Sequence, residues 1–98
     1  MSFYVYILRC RDGSYYVGHT DDLEGRLAAH QGGEITGYTH SRRPVQLVFH
    51  EEFPSREDAF LCERQLKGWS RRKKEALVRG DWDSLRRLSR AHGSTSSP

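Results

Sequence analysis

Residues whose side chains can do acid–base, charge-neutralising or metal chemistry include four tyrosines near the start, Tyr4, Tyr6, Tyr15 and Tyr16, and after them Arg26, His30 and Glu63. A phenol takes up a proton when nearby cations lower its pKa from about 10. An Arg guanidinium forks onto phosphate oxygens, a His carries protons near neutrality, and a carboxylate holds a divalent cation. At about 100° per residue, Leu27 and His30 fall near Leu23, with Arg26 about 60° to one side. Arg26 and His30 therefore stand at the edge of an apolar stripe, where a purely structural reading makes them a snorkelling Arg and a half-buried packing His. On a later helix, counted from Phe60, Glu63 falls in the middle of the stripe that should be buried. An ionised carboxylate there is costly unless a cation or several donors meet it. Its partner is an Arg on the structural reading, or a divalent metal shared with substrate phosphate oxygens on the functional one.

The elements that must position these groups are legible from the pattern. Phe3 to Leu8, then Arg11-Asp12-Gly13-Ser14, then Tyr15 to Gly18 signal a β-hairpin. A two-residue Asp12-Gly13 turn would pair Arg9 with Tyr16 and send Tyr6 and Tyr16 to opposite faces. A three-residue Arg11-Asp12-Gly13 loop, with Gly13 left-handed, pairs Leu8 with Tyr16 and puts both tyrosines on one face. The sequence leaves both open. Tyr4 and Tyr15 crowd the same hairpin, where packing is the ordinary role of tyrosine.

Thr20-Asp21-Asp22 opens a helix to about His30, with Asp21 and Glu24 at capping-box spacing. Residues 31–43 read as a polar loop. Val45 to Phe53 reads as a third strand, with Val45, Leu47 and Phe49 alternating onto one face. Ser55 caps a helix to Lys67, Ser70 caps one to Arg79, and a last helix follows Gly80-Asp81 to about Ala91. This order predicts an α+β fold in which helices flank a three-stranded antiparallel sheet. Residues 1–92 are expected to form one domain and residues 93–98 a flexible tail.

Composition narrows the class. The chain has 98 residues, 36% hydrophobic and 30% charged, too apolar for disorder and too polar for a membrane protein. No apolar run approaches the roughly 20 residues of a bilayer span. The start, Met1-Ser2-Phe3-Tyr4, lacks the basic region and cleavage site of a signal peptide. Cys10 and Cys62 fit no close-spaced metal pattern and read as reduced packing residues, so a cytoplasmic chain is expected. The net charge of +3 hides an asymmetry. Residues 1–63 carry six Arg against ten acids, or −4, and residues 64–98 carry ten Lys and Arg against three acids, or +7. Such a division suits a site joined to an anchor for an anion.

The spacing of Tyr4-Val5-Tyr6 and Tyr16-Val17-Gly18, followed by Arg26, His30 and Glu63, resembles the GIY-YIG nucleases. Arg42-Arg43-Pro44 and the stretch Glu63 to Trp69 are similar to the small stand-alone bacterial branch of that superfamily. The likeness spans roughly residues 2–85. It departs in Tyr4 for the first Gly and in Val for each Ile. The resemblance implies a three-stranded antiparallel sheet carrying a single-metal phosphodiesterase site. Glu63 would bind Mg²⁺ or Mn²⁺, and Arg26 would neutralise charge on the transition state. Tyr6 would act as general base, and Tyr16 and His30 would orient water or phosphate or share the proton. Cleavage would leave a 5′-phosphate and a 3′-hydroxyl. His19, directly after Gly18, is expected only to hydrogen-bond locally.

Lys67, Arg71, Arg72, Lys73 and Lys74, with Trp69 beside them, are the residues expected to follow a nucleic-acid backbone in a salt-sensitive way. No recognition helix or zinc finger is visible, so little base-specific reading is expected. The resulting expectation is a monomeric nuclease acting on structured or single-stranded DNA, with RNA left open and a protein partner as a source of specificity. A nucleic-acid-binding module, or an accessory subunit, of the same fold with little turnover is the alternative.

Overall fold

A computed structural model describes residues 2–88, and the chain divides into two compact units, Met1–Lys67 and Gly68–Pro98. The expected tail, His92 and the end of the last helix lie outside the described residues. The first unit is a three-stranded antiparallel sheet of order β2-β1-β3, built from β1 (Phe3–Arg9), β2 (Tyr15–Thr20) and β3 (Gln46–Phe53). Helices α1 (Leu23–Gln31) and α2 (Arg56–Lys67) complete it. With the helices beyond it, the chain has the α+β architecture that the pattern predicts.

Strand β1 lies in the centre and is covered on both faces, which is why Val5, Ile7 and Leu8 are all fully buried in an unbroken apolar run. Full burial of a side chain such as Ile7 or Leu8 contributes about 1.5–3 kcal/mol. The hairpin takes the three-residue form. Cys10 N–H donates to Ser14 O at 2.8 Å, Gly13 N–H donates to Cys10 O at 2.9 Å, and Gly13 has φ +87°. A side chain at that φ is strained, so glycine suits the position. Leu8 therefore faces Tyr16 and Tyr6 faces Gly18, with both tyrosines on one side of the sheet.

Several local expectations need correction. Val45, Leu47 and Phe49 do not share a face, because a bulge at Val48 lets Leu47 pair with Leu8 while Phe49 pairs with Ile7. Adjacent β1 residues point to opposite sides, so Leu47 joins Tyr6, Leu8, Cys10 and Val45 in one cluster and Phe49 goes to the other face. The cap of α1 is Asp22 rather than Asp21. Its carboxylate accepts from Gly25 N–H at 3.1 Å, and Thr20 Oγ1 accepts from Asp22 N–H at 3.0 Å. Leu23 and Leu27 of α1 pack on the same cluster. At its C-terminal end, the Gln31 carboxamide both donates to Val45 O and accepts from Val45 N–H, tying α1 to the start of β3. Residues 31–43 are not all open loop, since His40–Arg42 form a 3₁₀ turn.

Ser55 accepts from Asp58 N–H at 3.1 Å and caps α2 as expected. The inward stripe of α2 is Ala59, Glu63 and Leu66, spaced i, i+4, i+7, while Phe60 is 43% exposed. The stripe is thus rotated from one centred on Phe60, yet Glu63 stays inside it.

In the second unit, α3 (Arg71–Arg79) starts at Ser70, whose hydroxyl accepts from Lys73 N–H, and ends at left-handed Gly80. Asp81 then accepts from Ser84 N–H at 3.1 Å, and residues 82–88 are helical. Ala76 and Leu77 are its buried residues on α3.

Candidate nuclease site

Tyr6, Tyr16 and His30 meet on one face of the first unit. The Tyr16 and His30 rings are 5.2 Å apart, Tyr6 and His30 5.9 Å, and Tyr6 and Tyr16 6.4 Å, all tilted or edge-on. The hairpin register delivers the tyrosines, and the last turn of α1 delivers the His. Tyr6 is 3% exposed and His30 is 1% exposed, more deeply buried than the half-buried position its helical angle suggested.

Burial this deep demands partners for each ring nitrogen, and both are found. The Tyr6 hydroxyl and His30 Nε2 are 3.0 Å apart, and His30 Nδ1 lies 2.7 Å from the hydroxyl of buried Thr39. The chain has two balanced proton arrangements. Tyr6 donates to Nε2 while Nδ1–H donates to Thr39, or Thr39 donates to Nδ1 while Nε2–H donates to Tyr6. Burial pulls His30 below the ordinary His value, and the Arg26 guanidinium lowers it further, so the imidazole is neutral at physiological pH. Burial likewise pushes the Tyr6 phenol well above its usual range. Tyr16 and Glu63 add to that push and Arg26 opposes it.

Arg26 is exposed on α1, yet its charge reaches both Tyr6 and His30. Glu63 reaches Tyr6 only through its field, and its own contacts lie elsewhere. Its Oε1 accepts from His19 Nδ1–H at 2.9 Å and its Oε2 from the Lys67 ammonium at 3.3 Å. The partner of the buried carboxylate is therefore a His and a Lys, not the Arg of the structural expectation. His19 corrects a second expectation, because it bonds 44 residues away rather than locally. Its ring also stands edge-on to Phe60, with centroids 5.9 Å apart.

Of the residues present, the Glu63 carboxylate has the chemistry to hold a divalent cation, which would take the place of the Lys67 ammonium at Oε2. The carboxylate, with 10% of its side chain exposed, already gathers two N–H donors, at least one cationic, and Lys67 is 54% exposed on a flexible stem that can turn to solvent. Mg²⁺ accepts a single protein carboxylate when water and substrate phosphates complete its shell. Among the described residues no three His, Cys, Asp or Glu group to hold a metal unaided. Glu63 would therefore be the protein anchor of a shell shared with substrate.

Gly18 explains how the site stays compact. A Cβ there would stand 2.5 Å from Tyr6 Oη and 2.7 Å from its Cζ, with Tyr16 Cε2 at 3.2 Å. Gly18→Ala is expected to push the buried Tyr6 ring off His30 and to cost about 1–3 kcal/mol through overpacking. A thermal melt alongside a cleavage assay checks this, with activity falling more than stability explains.

The basic residues of the sequence are placed as follows. Lys67 is engaged by Glu63, Arg71 pairs with Glu75 at 3.2 Å, and Lys73 lies 4.4 Å from the Trp69 ring centroid. Lys74 is half-buried, and burial lowers its ammonium pKa. Arg72 is exposed and lines a shallow groove with Arg79 and Arg87. Cys10 and Cys62 are free thiols, Cys10 buried and Cys62 half-buried, and burial raises both pKa values. His19 and Thr39 are the site residues whose contacts sequence reasoning missed. A buried Glu63 signals that some cation must meet it, but nothing in residues 31–43 marks Thr39 as the partner of His30.

A three-stranded antiparallel sheet followed by helices, with Tyr6 and Tyr16 on one face of the hairpin, is the arrangement expected of a GIY-YIG domain. The GIY-YIG catalytic domain matches residues 2–76, and the chain belongs to that family. It is 45% identical over 92 residues to a UPF0213 protein of Halalkalibacterium halodurans, covering 91% of this chain and 98% of the relative. A UPF0213 protein of Natronomonas pharaonis is 47% identical over 75 residues, covering 76% of this chain and 88% of that one. The solution NMR structure of the UPF0213 protein BH0048 from Bacillus halodurans superimposes with TM-score 0.54 at 44% identity, covering 91% of this chain and 98% of that one. That of EF2693 from E. faecalis gives 0.58 at 38% identity, covering 82% and 85%. No helix among the described residues is long and apolar enough to cross a membrane.

Proposed function

We propose that this chain hydrolyses phosphodiester bonds in nucleic acid, DNA in the first instance, with a divalent cation, leaving a 5′-phosphate and a 3′-hydroxyl. The observation that carries the reading is the buried Tyr6–His30–Thr39 chain beside Arg26. A tyrosine whose phenol is held neutral is a poor base alone. With neutral His30 at its hydroxyl, Tyr6 accepts a proton from the attacking water while passing its own to Nε2, so no free phenolate is needed. Nδ1–H then donates to Thr39 and steadies the imidazolium. Tyr16, packed on His30, orients the water or phosphate. Arg26, whose charge reaches both Tyr6 and His30, neutralises charge developing on the phosphoryl oxygens. A cation held by Glu63 would supply Lewis-acid neutralisation of the phosphate. Arg71, Arg72, Lys73 and Lys74, with Lys67 once released from Glu63, would contact backbone phosphates without reading sequence.

The test is cleavage of labelled single-stranded, duplex and branched DNA, and of RNA, with Mg²⁺, with Mn²⁺ and with chelator. Metal-dependent cleavage that Arg26→Ala lowers by about 10²-fold or more is the expected result. Cleavage untouched by that change would overturn the site assignment. Tight, salt-sensitive binding with no cleavage under any metal would favour the binding module.

A further inference from the structure

Beyond the buried proton chain, a second feature leads outward from it. The Tyr16 ring, already packed on His30, is stacked by Tyr38, with centroids 6.1 Å apart and planes 24° from parallel. Over the Tyr38 ring lies the Arg42 guanidinium, 3.9 Å from the centroid. That guanidinium is held flat by two bonds, from Nε to Asp12 Oδ2 at 3.0 Å and from Nη1 to the Tyr38 carbonyl at 2.8 Å. Tyr38 is 41% exposed, a large aromatic left at the surface, and the Arg42 side chain is 36% exposed. The result is a ladder of π surfaces, His30, Tyr16, Tyr38 and Arg42, that begins in the core and ends in solvent.

Holding Arg42 in place has a use beyond fastening the loop. A guanidinium already fixed in its plane loses little freedom when a second flat group settles on it. Nucleobases are such groups, and they stack on aromatic and guanidinium planes without regard to sequence, provided they are not paired.

We infer that the Tyr38–Arg42 stack is a subsite for an unpaired nucleobase of the substrate, flanking the phosphodiester to be cleaved. This rests on the nuclease reading above. It makes Tyr38 and Arg42 determinants of the preference for single-stranded over duplex substrate, because a base locked in a duplex cannot turn onto the stack.

The experiment measures binding in chelator by fluorescence anisotropy, using a short single strand, the same strand made abasic at its central positions, and a blunt duplex. A strand carrying 2-aminopurine at those positions reports stacking by quenching. The wild-type chain is expected to bind the base-bearing strand about fivefold or more tightly than the abasic one. Tyr38→Ala removes that difference and the quenching while leaving duplex affinity and the melting temperature close to wild type, and Tyr38→Phe retains both. Equal base preference in wild type and Tyr38→Ala overturns the inference, as does Tyr38→Phe behaving like Tyr38→Ala. Cleavage by the wild type with no effect of Tyr38→Ala sinks the stack alone. A Tyr38-dependent preference with no cleavage under any metal keeps the stack and sinks the nuclease reading.

Discussion

Glu63→Gln is expected to lower metal-dependent cleavage by about 10²-fold or more while leaving the chain folded. The substitution keeps the shape and one oxygen acceptor but removes the negative charge that would anchor a cation. Breaking a fully buried ion pair can cost about 3–5 kcal/mol because the abandoned charge stays buried. Here Lys67 is 54% exposed and His19 about a quarter exposed, so both can turn to water. A stability loss near 1 kcal/mol is therefore the expectation, close to that for exposed pairs. Cleavage at wild-type rates in Glu63→Gln would show that the carboxylate holds His19 and Lys67 and nothing else. Isothermal titration with Mn²⁺ in the presence of a non-cleavable oligonucleotide separates lost metal affinity from lost folding.

Tyr6→Phe should reduce the rate by about 10²–10⁴-fold, the range attributed to a positioned acid–base group. It also leaves Nε2 of buried His30 without its partner, for about 1–3 kcal/mol of stability. A chain of this size would then melt several degrees lower. The pH dependence gives an independent readout. His30 must be neutral to accept the Tyr6 proton, and its pKa lies below the ordinary value of about 6.5. Wild-type activity should therefore be flat through neutrality and fall only on the acid side of the ordinary His range. Stability follows the same sign. The unfolded chain protonates His30 first, so stability is full above about pH 6.5 and declines as pH falls toward the depressed folded value. His30→Gln should blunt that acid decline. An activity profile centred on the ordinary His value, or above it, would remove His30 from the proton path.

Much of the fold was legible because its signals are local. The Ser55 and Ser70 caps, the Gly80 stop and the inward Glu63 each follow from a few neighbouring residues and from helical angle. The misreadings came from contacts that local signals do not carry. The bulge at Val48 has no Gly or turn residue to announce it and is decided by the pairing of β3 with β1. Phe60 outranks Ala59 in hydrophobicity, yet α2 turns Ala59 inward and leaves Phe60 beside His19. Of the site, the five expected residues were visible as types at spacings. Two of the contacts that bind them, His19 to Glu63 and His30 to Thr39, cross 44 and 9 residues and needed the folded chain.

The three residues between Cys10 and Ser14 act as a parity setting for the whole hairpin. Removing or adding one there would exchange odd and even positions along β2, carrying Tyr16 away from Tyr6 and bringing Tyr15 and Val17 in its place. A change of two would restore the match at the cost of a different turn. Apart from Asp12, which holds Arg42, the loop offers the site no side chain, yet its length decides which half of β2 faces it. Changes in the length of this loop that keep the tyrosines together should therefore come in steps of two.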